Sequence, residues 1–210
     1  MAGSDVKSVH LTADTTAADA DGVCESQTPA AGGSQDLTID GAQEVGATGV
    51  AAFDAGRLIT IASAADDSAR TFTITGTDVN GDAQTEVIAG PATTVTGTKY
   101  FKTVTVVNVD DDTAGAITVG MSADAADVIF RERARLKGAF IVNAATAGII
   151  TFLSGSATGT VKMKLGTVAS VTAERDVTIP SEGIMFEDGA YITYTGGTNE
   201  VFTNMTLFHA

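Results

Sequence analysis

The sequence predicts an all-β protein, and three observations predict it. Short runs of β-branched and aromatic residues recur about every ten residues, separated by Gly-, Asp- and Asn-rich turns, the spacing of sandwiches and small barrels. Ala, Gly and Thr dominate a chain in which only 18% of residues are charged and Trp is absent, a composition unlike that of a helical bundle. No stretch holds a helical period, and Ala-rich pieces such as Ser122 to Ala126 are too short and too acidic to stand alone as helices. The expected architecture is two small β-sandwich domains, jelly-roll or Ig-like, in tandem after a flexible N-terminal arm.

The arm is read as residues 1–36. It is rich in Ala, Thr, Asp, Ser and Gly and has too few large apolar groups to offset the entropy of ordering it. Val6, Val9 and Leu11 suit one short strand against a neighbour. A frayed end and an arm that orders on assembly are both consistent with this composition.

Residues 37–132 are read as the first domain. Strand signals begin at Leu37-Thr38-Ile39 and continue at Arg57 to Ile61. From Arg70 to Val109, alternating Thr and apolar residues lead into Asn80-Gly81 and out along Gln84 to Ala89, then cross Gly90-Pro91 into a long third strand. Asn-Gly between alternating runs predicts a hairpin closed by a type I′ turn. Phe72, Ile74, Val87, Phe101, Val104, Val106, Val107 and Val109 are the expected core. Gly115 to Met121 supplies another strand after Asp110-Asp111-Asp112.

Residues 133–210 are read as the second domain, entered by a direct strand handover near 130–136. Its expected strands are Phe140 to Asn143, Gly148 to Leu153, Thr160 to Leu165, Asp176 to Ile179, Ala190 to Thr195 and Val201 to Phe208, each bounded by Gly, Ser, Asn or Pro.

The formal charge of −14 and pI near 4.2 argue against gripping a phosphate backbone, since like charges repel. The opening residues contain no apolar run of signal-peptide length and no bilayer-spanning stretch, so neither membrane insertion nor export by a signal peptide is expected. Cys24 is single and cannot form an intrachain disulfide. His10 and His209 lie at opposite ends, without the company a zinc site or a nucleophile needs.

Asp78, Asn80 and Asp82 copy the first ligand spacings of a calcium loop. Ala83 and Ala89 then replace the Gly and Glu that the loop requires, so a hairpin turn explains them better. Asp110 to Asp112, and Asp66-Asp67, read as solvated turn carboxylates. For sugar hydrolysis only Glu174, Glu182, Glu187 and Asp188 merit inspection. No cofactor, metal or catalytic residue is expected.

One basic segment stands out. In Asp127 to Asn143, Arg131, Arg133, Arg135 and Lys137 recur at period two, so a strand would place all four on one face opposite Phe130, Glu132, Ala134 and Leu136. Four of 12 basic residues on one stripe suit a partner with an acidic surface, another copy of this chain among them. A solvated face that discourages edge pairing is the competing reading.

The stretch from Arg70 through Gly81 to Lys99-Tyr100-Phe101-Lys102-Thr103-Val104 resembles β modules of tailed-bacteriophage virion proteins. So does the tail: Ile179-Pro180-Ser181-Glu182-Gly183-Ile184-Met185-Phe186, then Asp188 to Ile192 and Gly196-Gly197-Thr198. The resemblance implies a non-enzymatic virion part assembled in the host cytoplasm: a capsid decoration (cement) protein, or a head-to-tail or tail component. Its implied partners are other copies of itself, as a trimer or ring, and the major capsid or tail proteins. A glycan-binding recognition module is the alternative from a different class, disfavoured by the lack of Trp and of loop aromatics.

Overall fold

The computed structural model describes residues 5–210, which form fifteen strands, one 3-10 turn at Gly197–Asn199 and no α-helix. In order the strands are β1 (Lys7–Thr12), β2 (Asp19–Gln27), β3 (Gln35–Asp36), β4 (Ala51–Ser63), β5 (Thr71–Thr77), β6 (Ala83–Ala89), β7 (Thr94–Val109) and β8 (Ile117–Phe130). They continue as β9 (Ala134–Asn143), β10 (Ile149–Ser154), β11 (Thr160–Gly166), β12 (Glu174–Thr178), β13 (Ile184–Phe186), β14 (Ala190–Thr195) and β15 (Phe202–His209). All belong to two antiparallel sheets, one of five and one of ten strands.

The chain divides into two compact units. An inner unit is Ala17–Ala123, and a terminal unit combines Met1–Thr16 with Asp124–Ala210. The division falls inside β8, where the sequence reading placed it at 132/133.

In the inner unit β7 is the organising strand. It pairs with β4 through Thr94 to Val104, with β5 through Thr103 to Val109, and with β3 at Asn108 and Val109. β5 and β6 form the expected hairpin, Thr71↔Ala89 through Thr77↔Ala83. Phe72 and Ile74 are fully buried while Thr71, Thr73 and Thr75 take the other face, as a period of two requires. With Ile59, Ile61, Phe101, Val104, Val107, Val109, Ile117 and Val119 they form one apolar cluster. Burying each of the larger side chains contributes about 1.5–3 kcal/mol.

Several expectations are corrected here. Val87 is 66% exposed, because the hairpin register turns Glu86 and Ile88 inward instead. Val106 is only half-buried: a register shift at Thr75/Gly76 breaks the alternation between Val104 and Val107. At that shift a Cβ on Gly76 would lie 1.9 Å from the Thr103 carbonyl oxygen, so only glycine fits. Leu37 to Ile39 is not a strand, though Leu37 and Ile39 are buried and the Leu37 amide donates to the Val107 carbonyl.

The hairpin loop is not a two-residue type I′ turn. Five residues, 78–82, separate the strands, and of these only Gly81 has positive φ, at 85°. The Asp78 carboxylate accepts the amides of Asn80 and Asp82, fixing the loop by side-chain bonding.

The expected flexible arm over 1–36 does not hold for the described residues. β1 pairs with β15 of its own chain at all six positions, β2 pairs with β8, and β3 pairs with β7. Val23 and Cys24 are fully buried. Few large side chains are needed, since ladder hydrogen bonds and small apolar groups hold the segment to strands already formed.

In the terminal unit the five-stranded sheet runs β1-β15-β9-β12, with β13 also pairing to β9, and β11, β10, β14 and the end of β8 form the facing layer. The layers meet edge-to-face at Phe130 and Phe186, with ring centroids 5.9 Å apart, and at Tyr194 and Phe202, 4.9 Å apart. Leu136, Ile141, Phe152, Ile192, Met205 and Leu207 complete the core.

Candidate functional site

The basic segment is not one strand. β8 ends at Phe130, Arg131 to Arg133 form a turn, and β9 begins at Ala134. The predicted stripe is therefore divided: Arg131 and Arg133 are exposed on the turn, while Arg135 and Lys137 are half-buried on β9. The chain turns because β8 belongs to the ten-stranded sheet and β9 to the five-stranded one, and a straight strand cannot serve both.

Arg133 Nε lies 3.0 Å from Glu187 Oε2, with both side chains more than half exposed. Such a pair is worth little to stability, so breaking it exposes the charge cheaply. Lys137 Nζ donates to the Glu182 carbonyl at 2.9 Å, and the Arg135 backbone exchanges two hydrogen bonds with Ala210.

Arg131 and Arg133 border a surface hollow of about 570 Å³, also lined by Asp5, Lys7, Glu132 and His209. The His209 ring lies against Phe130, centroids 4.8 Å apart. Burial, and then the nearby Lys7 charge, lower the His209 pKa, favouring the neutral ring. Sequence reasoning missed Lys7 and His209 because the Lys7↔His209 pairing of β1 with β15 brings them to the turn. Only the suggestion of a strand near Val9 and Leu11 pointed that way. Arg135 and Lys137 do not line the hollow.

The other candidate groups have local duties. Asp110, Asp111 and Asp112 accept the amides of Thr71, Gly33 and Gly32 respectively, pinning neighbouring loops. Asp111 also accepts the Asp112 amide, and this bond, then that from Gly33, then the Arg70 charge, lower the Asp111 pKa. Asp67 is not solvated but 2% exposed, accepting from Ser63 Oγ and the amides of Ala114 and Gly115. Among the described residues no group of three or more His, Cys, Asp or Glu is placed to hold a metal. His10 Nδ1 lies 3.3 Å from Thr206 Oγ1 on the exposed sheet edge. Burial and the Asp40 charge push the Cys24 thiol up to about 12, which suppresses its reactivity.

Chemically, the turn offers cationic groups on a polar rim around a partly aromatic hollow, an arrangement suited to contact with an acidic surface. No protein-family model matches the chain, and no curated protein is significantly similar to it.

Proposed function

We propose that this chain is a structural component of a tailed-bacteriophage particle, a capsid decoration protein that binds and stabilises the assembled shell through oligomeric β domains. Each unit is read as a small sandwich-type module, and the contact surface as the β8–β9 turn. The single observation that supports the reading is the exposed basic turn, Arg131 and Arg133, on a chain of formal charge −14. Charge of the minority sign, gathered on an exposed turn, is suited to steering and orienting an acidic partner. The reading assigns the protein to the virion and gives it no catalytic step, cofactor, nucleic-acid or membrane partner.

The test is to mix the purified chain with undecorated heads and measure bound copies and resistance of the heads to heat. Saturable binding with raised resistance, both reduced by Arg131→Glu with Arg133→Glu, is the expected result. Heads neither bound nor stabilised at any salt concentration would remove the decoration role; binding to tails instead would move the protein to the tail or head-to-tail connection. The aromatic floor of the hollow, Phe130 with His209, is the one observation favouring glycan recognition. That reading predicts binding to host-surface glycans without affinity for heads.

A further inference from the structure

The charge of this chain is unevenly divided. The inner unit holds four of the 12 Lys and Arg residues and fifteen of the 26 Asp and Glu residues, a net −11; the other eight and eleven, a net −3, belong to the terminal unit. Ala17 to Gly56 contains seven acidic residues and no Lys or Arg. The next cation, Arg57, is fully buried and donates to the Ser122 and Ala123 carbonyls, so it presents no charge to the surface.

Folding gathers part of this acidic stretch. The Glu25 amide donates to Asp40 Oδ1 at 2.9 Å, and Gln27 exchanges hydrogen bonds with the backbone of Thr38. β2 and the 36–40 segment thus lie side by side, with Asp21, Glu25, Asp36 and Asp40 all exposed.

We infer that the basic β8–β9 turn of one copy docks on this acidic β2 face of a second copy. The contact is heterologous, terminal unit to inner unit, so successive copies join head to tail and form a ring where the rotation closes. The inference rests on reading the turn as a contact surface. The occupant is a second copy because the same chain carries both complementary surfaces.

The physics sets a specific salt dependence. Two chains of charge −14 repel over long range, while attraction between turn and face acts only near contact. The screening length is about 30 Å at about 0.01 M salt, about 10 Å at about 0.1 M and about 3 Å at about 1 M. Repulsion between whole molecules therefore dominates at the lowest salt, local attraction at the intermediate value, and neither at the highest. Self-association peaks in the middle, whereas an apolar contact strengthens steadily toward high salt.

The experiment is sedimentation of the full chain alone, with no particle present, over a protein concentration series at those three salt levels. The average mass is expected to exceed the 21.2 kDa of one chain at about 0.1 M, to rise with concentration, and to fall back at both extremes. Arg131→Glu with Arg133→Glu, and separately Asp21→Lys with Glu25→Lys, each reduce the association constant by more than about tenfold. Mixing the two charge-reversed chains restores association. Should either reversal fail to fold by circular dichroism, the neutral pairs Arg131→Gln with Arg133→Gln, or Asp21→Asn with Glu25→Gln, replace it and weaken association in the same direction. A single-chain mass at all three salts, association growing up to about 1 M, or reversed chains that fail to restore one another would overturn the inference. Those results leave head binding, measured separately, untouched; loss of head binding with self-association intact would overturn only the decoration role.

Discussion

Glu86 is a carboxylate used as a backbone partner. Strand alternation turns it inward beside Ile88, and it is 7% exposed. Its oxygens accept the Thr98 amide and hydroxyl and the Lys99 amide, on a stretch of β7 where β6 supplies side chains, not backbone. Glu86→Ala leaves those donors unpaired and lowers unfolding free energy by about 1–3 kcal/mol, with Glu86→Gln less damaging, as urea denaturation would report. Equal stability of all three proteins would refute this role.

Cys24 and Tyr194 set a second expectation at this scale. Burial and then Asp40 raise the Cys24 pKa from 9.0 to about 12; burial and then Asp127 raise that of Tyr194. Both groups stay neutral in the fold and ionise first in the unfolded chain, which then binds fewer protons. Stability accordingly declines as pH climbs from about 9 to about 12. Cys24→Ala should flatten that decline, and a thiol reagent at pH 8 should label Cys24 only on unfolding. Rapid labelling of the native protein would contradict the buried environment.

Among the elements, β1 is the most separable. None of its six residues is buried, and its hold on the terminal unit is its ladder to β15. Just beyond it, the Asp14 amide donates to Tyr194 Oη, which itself donates to Asp127 Oδ2 at 2.7 Å, and the Gly197 amide donates to the Asp14 carbonyl. This anchor, not β1, fixes the chain's path. A protein starting at Ala13 should still fold, with a lower melting temperature and stronger light scattering, because β15 becomes an open edge. Unchanged melting and scattering would mean that the edge needs no cover. The strands that were legible share a property: Ala190 to Thr195 and Thr160 to Leu165 carry their own alternation and their own turn residues. β13 and β3 carry neither, being three and two residues long, and exist only because a longer neighbour offers a free edge.

At the scale of the whole molecule, self-repulsion is the dominant electrostatic fact. Fifteen acidic against four basic residues in the inner unit oppose compaction, and salt screens that opposition. Raising salt from about 0.01 to about 0.2 M should increase the melting temperature, measured calorimetrically; a decrease would show that specific ion pairs outweigh the net charge.

By itself, the sequence determined that this chain is built of strands, where most of them lie, that Phe72 and Ile74 face inward while the threonines between them do not, and that a basic segment breaks an acidic chain. Those properties are local, written in a period of two and in turn chemistry, and any fold of the chain must respect them. Only the tertiary structure decided that Lys7–Thr12, Asp19–Gln27 and Gln35–Asp36 join the sheets, that Arg131 to Arg133 are a turn, and that Lys7 and His209 stand beside it. These depend on which distant backbone edge a strand meets, and edge pairing is made by groups that every residue shares, so composition leaves no trace of it.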